Sequence, residues 1–158
     1  MTDPRIGLLL HQLHQAFDRR SWHGPNLLGS LRGVSLEMAG WRPQPARHNI
    51  GELVVHAAYW KYRVVRLIAT EPPRAFSLPG SDFFERPSWP TAEGWRADLA
   101  LLRDWHGRLA EVVGALPPAR LSETAGEFTC AELITGAAAH DIYHAGQIRL
   151  IRRMFEDR

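Results

Sequence analysis

Hydrophobic positions recur at helical spacing in four stretches of the chain, and nowhere do they alternate long enough to predict a strand. In the first stretch, Ile6, Leu9, Leu10, Leu13 and Phe17 mark one buried face of a helix running from about Pro4 to Phe17. The second starts at Asn49, whose side chain can cap free backbone amides while Glu52, three residues on, reaches back as in a capping box. It runs to about Ala69. The third covers about Thr91 to Leu116, with Trp95, Leu99, Leu102, Leu109, Val112 and Val113 as its apolar set, and Pro117 and Pro118 stop it. The fourth begins at Thr129, again with a glutamate three residues later at Glu132, and runs to about Met154. Between them, residues 22–47 are rich in glycine and proline, with a short helix expected around Asn26 to Met38. Residues 71–90 carry five prolines and the aromatics Phe76, Phe83, Phe84 and Trp89. A loop that long in a compact domain is more often functional than idle, so it is a candidate rim for a site. Four long amphipathic helices predict an all-α fold, a single four-helix bundle over 1–158.

Composition narrows the function classes. Of 158 residues 45% are hydrophobic, enough for a real core, and the formal charge of +2 leaves no footprint for nucleic acid or an anionic membrane. Eighteen of the 19 basic residues are arginine and Lys61 is the only lysine, a bias that carries no functional weight here. One cysteine, Cys130, cannot close an intrachain disulfide, and the first residues lack a signal pattern, so a soluble protein of the reducing cytoplasm is expected. No apolar run approaches the roughly 20 residues that span a bilayer. Eight histidines and six tryptophans remain as the oddity of composition.

His140 and His144 stand four residues apart on the fourth helix, which stacks two imidazoles on one face. Spacing alone is weak evidence, so facing has to decide. At about 100° per residue, Leu133, Ala137, Ile148 and Ile151 share the stripe of both histidines, while Arg149 and Arg153 fall opposite. Two neutral imidazoles in a core stripe cost desolvation energy unless something satisfies them, and a metal would. His56 likewise centres a stripe of Leu53, Trp60, Val64 and Leu67 on the second helix. His11 and His14 face solvent or the flank of the first helix, and His23, His48 and His106 lie in loops or at unclear facings. Three imidazoles, His56, His140 and His144, therefore form a candidate site for zinc, nickel or another borderline divalent ion, with a coordination position left open. A closed structural zinc site would more usually contain cysteine, and only Cys130 exists.

Gly136, Ala137, Ala138 and Ala139 precede His140, which leaves room for a pocket or for close helix packing. Other polar groups near the stripes are weaker candidates for catalysis. Glu52 is first a capping partner; Arg63 can bind an anionic group or pair with an acid. Asp141 can accept the second ring proton of a ligand histidine or sit solvated on its helix. Tyr143 reads as amphipathic packing, and the tryptophans read as core anchors, Trp89 alone being placed to touch a ligand.

Two stretches carry a family resemblance. Residues Gly33 to Pro43, followed by Asn-Ile-Gly-Glu-Leu-Val-Val-His at 49–56, resemble the approach to the second helix of the DinB-like superfamily. His140-Asp141-Ile142-Tyr143-His144-Ala145-Gly146-Gln147-Ile148 resembles that superfamily's fourth-helix signature, His-x-x-x-His-x-Gly-Gln-Ile. The resemblance implies a four-helix bundle, often a homodimer, with a divalent metal held by three histidines that match His56, His140 and His144. It also implies thiol-dependent activities, such as S-transferases using bacillithiol and isomerases using mycothiol; the superfamily's name refers to induction by DNA damage, not to nucleic-acid binding. The expectation is thus a metalloenzyme in which an open position activates a low-molecular-weight thiol or water for a small-molecule substrate. The competing expectation is a metal-stabilised bundle that binds a small molecule or partner and catalyses nothing.

Overall fold

A computed structural model describes residues 3–86 and 89–158. Helix α1 (Pro4–Phe17) is followed by two short helices, α2 (Leu27–Leu31) and α3 (Leu36–Gly40), then by α4 (Ile50–Ile68), α5 (Ala92–Ala115) and α6 (Cys130–Glu156). The four long helices close a ring in which α4 packs on α5 and α6, and α1 packs on α6 and α5. This is the expected bundle. Both capping boxes form: the Asn49 side chain accepts from the Glu52 amide at 2.8 Å, and the Thr129 hydroxyl accepts from the Glu132 amide at 3.2 Å, with each glutamate bonding back to its cap amide.

Two local expectations are corrected. The single helix around Asn26 to Met38 is two helices, because Gly33 takes φ +72° and breaks the run, after which Ser35 caps α3. A small antiparallel hairpin, β1 (Thr124–Ala125) and β2 (Phe128–Thr129), lies before α6, turning on Gly126 at φ +79°. Strands of two residues each are too short for an alternation pattern to mark them.

The core is one continuous cluster that includes Leu13, Ile50, Val54, Leu102, Trp105, Leu109, Ile134 and Ile148, all at most 1% exposed. Truncating such a residue to alanine costs about 2–5 kcal/mol. Among the described residues no helix is long and apolar enough to cross a membrane.

Trp89 lies in this frame as an anchor. A Cβ on Gly51 would stand 2.2 Å from its ring, and one on Gly94 3.1 Å, so the indole occupies the space those two glycines leave on α4 and α5. The Arg86 guanidinium covers it at 5.3 Å. The end of the long loop is thereby pinned to the bundle.

Candidate metal centre

Helix α4 delivers His56 and helix α6 delivers His140 and His144, and the α4–α6 contact turns all three inward on one point. One ligating atom from each lies within 4.8 Å of the others. The Nε2 atoms face each other, 3.2 Å apart between His56 and His140 and 3.0 Å between His140 and His144. His56 and His144 are buried, and His140 is half-buried.

The outer ring nitrogens show which lone pairs are available. His56 Nδ1 is 3.1 Å from the Asp82 carboxylate and 3.3 Å from the Asp82 carbonyl oxygen. His144 Nδ1 is 2.6 Å from Gln147 Oε1. Both acceptors call for a proton on Nδ1, which leaves Nε2 of each ring as an inward-facing lone pair. His140 Nε2 can give its one proton to one of them at a time, so the three rings cannot satisfy each other as neutral imidazoles. Extra protons are no remedy. Burial pushes His140 down to about 3 and His144 down to about 4, and it also lowers His56; the neighbouring histidine charges add to the fall in each case, while Gln147 opposes it at His144 and Asp82 at His56.

A shared cation resolves the conflict. Two nitrogens each about 2.05 Å from one tetrahedral ion stand about 3.3 Å apart, close to the separations seen. The residues fit a borderline divalent ion, with Asp82 and Gln147 orienting two of the three ligands.

The long loop does rim this site. Asp82, at φ 64° in the left-handed region that aspartate tolerates, brings its carboxylate to His56 and accepts from the Trp60 indole at 2.9 Å. Phe83 stacks on His56 at 4.3 Å and on His48 at 3.6 Å. Asp82 escaped the sequence reading because nothing in helical periodicity addresses a loop residue 26 positions from its partner; the Gly80-Ser81-Asp82 turn was the only local cue.

The polar candidates part company. Asp141, expected either to orient a ligand histidine or to be solvated, does neither: it is fully buried and pairs with Lys61 across α4 and α6. Burial raises its carboxyl while the Lys61 ammonium pulls it down. Arg63 is exposed and donates to the Tyr59 hydroxyl at 3.4 Å, so it neither enters the site nor pairs with an acid among the described residues. Glu52 is committed to the Asn49 amide, to Arg42 and to His48, outside the converging donor set. Tyr143 remains beside the centre, its ring edge against His144 at 5.1 Å and its hydroxyl accepting from Gln147 at 3.2 Å.

Of the unplaced histidines, His106 is buried, stacked on Phe17 at 3.7 Å and 3.3 Å from His14, which flanks α1 as expected. Burial pushes His106 down to about 3. A cleft of about 240 Å³ opens beside His140 between α4 and α6, lined by Gly136 and Ala137 among others. The small side chains before His140 thus leave a pocket, with Ala138 taking the packing role instead.

A helical bundle with three imidazoles turned inward from two adjacent helices defines a tri-histidine bundle protein. The sequence profile of the DinB superfamily matches residues 10–148, and the chain belongs to that superfamily. It matches no curated protein and no solved structure.

Proposed function

We propose that the chain is a metal-dependent enzyme in which His56, His140 and His144 hold zinc or nickel and the site activates a low-molecular-weight thiol, or water in its place, against a small-molecule substrate. The observation that carries this reading is the convergence of three Nε2 atoms whose outer partners, Asp82 and Gln147, leave lone pairs facing inward. A divalent ion held there supplies Lewis-acid chemistry, favouring the deprotonated form of a thiol or water in its remaining coordination position.

The chain's own residues divide the other tasks. Asp82 and Gln147 fix the tautomers of His56 and His144. Phe83 shields one face of His56, while the half-buried His140 borders the open cleft, so a substrate approaches from the α6 side. Cys130 is fully buried at the start of α6, so a reacting thiol has to be a separate molecule. Thiol activation is preferred over hydrolysis because the superfamily resemblance supports it.

The test is spectroscopic. Cobalt-loaded protein should show a new sulfur-to-metal charge-transfer band when a panel of low-molecular-weight thiols is added, and turnover of an electrophilic acceptor with at least one of them. A spectrum unmoved by every thiol, with no turnover, contradicts the reading.

A further inference from the structure

We infer that the cleft beside His140 is the substrate pocket of this site and takes a compact, uncharged apolar group, an aromatic ring or a branched alkyl. The inference deepens the proposed function and rests on it for the word substrate. The cleft itself rests on its walls.

Trp60 and Val64 from α4 line the cleft together with Leu133, Ala137 and His140 from α6. Phe128, carried on the hairpin, adds a further apolar wall. Trp60 is 41% exposed and Phe128 54%, a large apolar area left in water at the cleft beside His140. Covering such a patch with an apolar group gains roughly 25 cal/mol for each Å² removed from water. A dry cavity of about 150 Å³ already accepts benzene, so about 240 Å³ admits a ring with substituents but not a large ligand.

Charge sets the rest of the specificity. Two charged residues border the cleft, Lys61 and Glu132. The Lys61 ammonium is turned into the interior and neutralised by Asp141, so it offers nothing to an anion. Glu132 keeps a net negative charge at the rim while its carboxylate caps Thr129. An apolar body carrying a carboxylate or phosphate is therefore disfavoured there.

Gly136 gives a clean means of filling the cleft. A Cβ built on it meets nothing within 4 Å, and it lies on an exposed turn of α6 where alanine and leucine both favour the helix more than glycine does. Gly136→Leu should fold, keep the three histidines and place its side chain in the pocket, whereas Gly136→Ala should leave most of the space open.

The probes are indole and indole-3-carboxylate, with binding followed by ligand-observed NMR on full-length protein of measured metal content. Indole should bind the wild type, lose at least about tenfold in affinity in Gly136→Leu and stay within about threefold in Gly136→Ala. The carboxylate should bind on the order of tenfold more weakly than indole. Indole binding that is absent in the wild type, or unchanged in Gly136→Leu, overturns the pocket; equal binding of the carboxylate overturns the substrate class. The failure of the metal reading is a separate result, since protein lacking a bound ion while binding indole as described keeps the pocket and loses the enzyme.

Discussion

Replacing Lys61 with methionine removes the counter-charge from a carboxylate that has no route to water. The Lys61 side chain is 1% exposed and that of Asp141 0%; Lys61 donates to Asp141 Oδ1, and Oδ2 has no hydrogen-bond partner among the described residues. Breaking a buried pair from one side costs about 3–5 kcal/mol, because the remaining charge is left uncompensated. For a domain of this size that lowers Tm by roughly 6–20 °C. Substituting both partners, Lys61→Met with Asp141→Leu, removes the orphaned charge and should return stability to within about 1 kcal/mol of wild type or above it. Urea unfolding of the wild type, both single variants and the double variant measures the coupling directly. The pH dependence supplies a second check with a defined sign. In Lys61→Met the Asp141 carboxyl in the folded protein lies further above the ordinary carboxylate range, so the deficit is full at neutral pH and shrinks as pH falls toward about 4 and the group takes up a proton. A single-variant loss below about 1 kcal/mol at pH 7 would refute the claim that this pair is buried and isolated.

Two further outcomes follow from the same structure. Asp82→Gly removes the acceptor that orients His56 while tolerating the left-handed backbone at that position, and should weaken divalent-ion affinity by about 10–100-fold in competition with a chromophoric chelator. Burial holds the His106 pKa down to about 3 in the fold, against about 6.5 for a free imidazole, so its contribution to stability is complete above about pH 6.5 and is lost as pH falls below it, about 2 kcal/mol by pH 5. His106→Phe, which keeps the stack on Phe17, should lose correspondingly less between pH 7 and pH 5 in urea titrations; equal acid sensitivity would contradict the burial of that ring.

The bundle and its three converging histidines are legible in the sequence because they depend on short-range regularities. Helical facing alone separates His56, His140 and His144 from His11 and His14, and two capping boxes set the starts of α4 and α6. Trp60 and Leu67, read as part of an inward stripe, lie at its edge, 41% and 37% exposed, where α4 borders the cleft or the surface. What stayed hidden depends on contacts between distant segments. Lys61 and Asp141 are 80 residues apart, and each alone looks like a solvated helix residue. Asp82 and Phe83 reach the histidines from a loop whose path no periodicity encodes, and the role of Trp89 depends on Gly51 and Gly94 leaving it room. The length and aromatics of the long loop mark it as a rim, but they do not tell which of its residues touch His56.

Metal content tests the account most directly. Protein purified from its native host and dialysed should carry close to one zinc or nickel ion per chain by elemental analysis, and His56→Ala, His140→Ala and His144→Ala, each verified as folded by circular dichroism, should each lose most of it. Full retention of the ion in the three variants, or a folded wild type that binds no divalent ion when one is supplied, would contradict the assignment of this site.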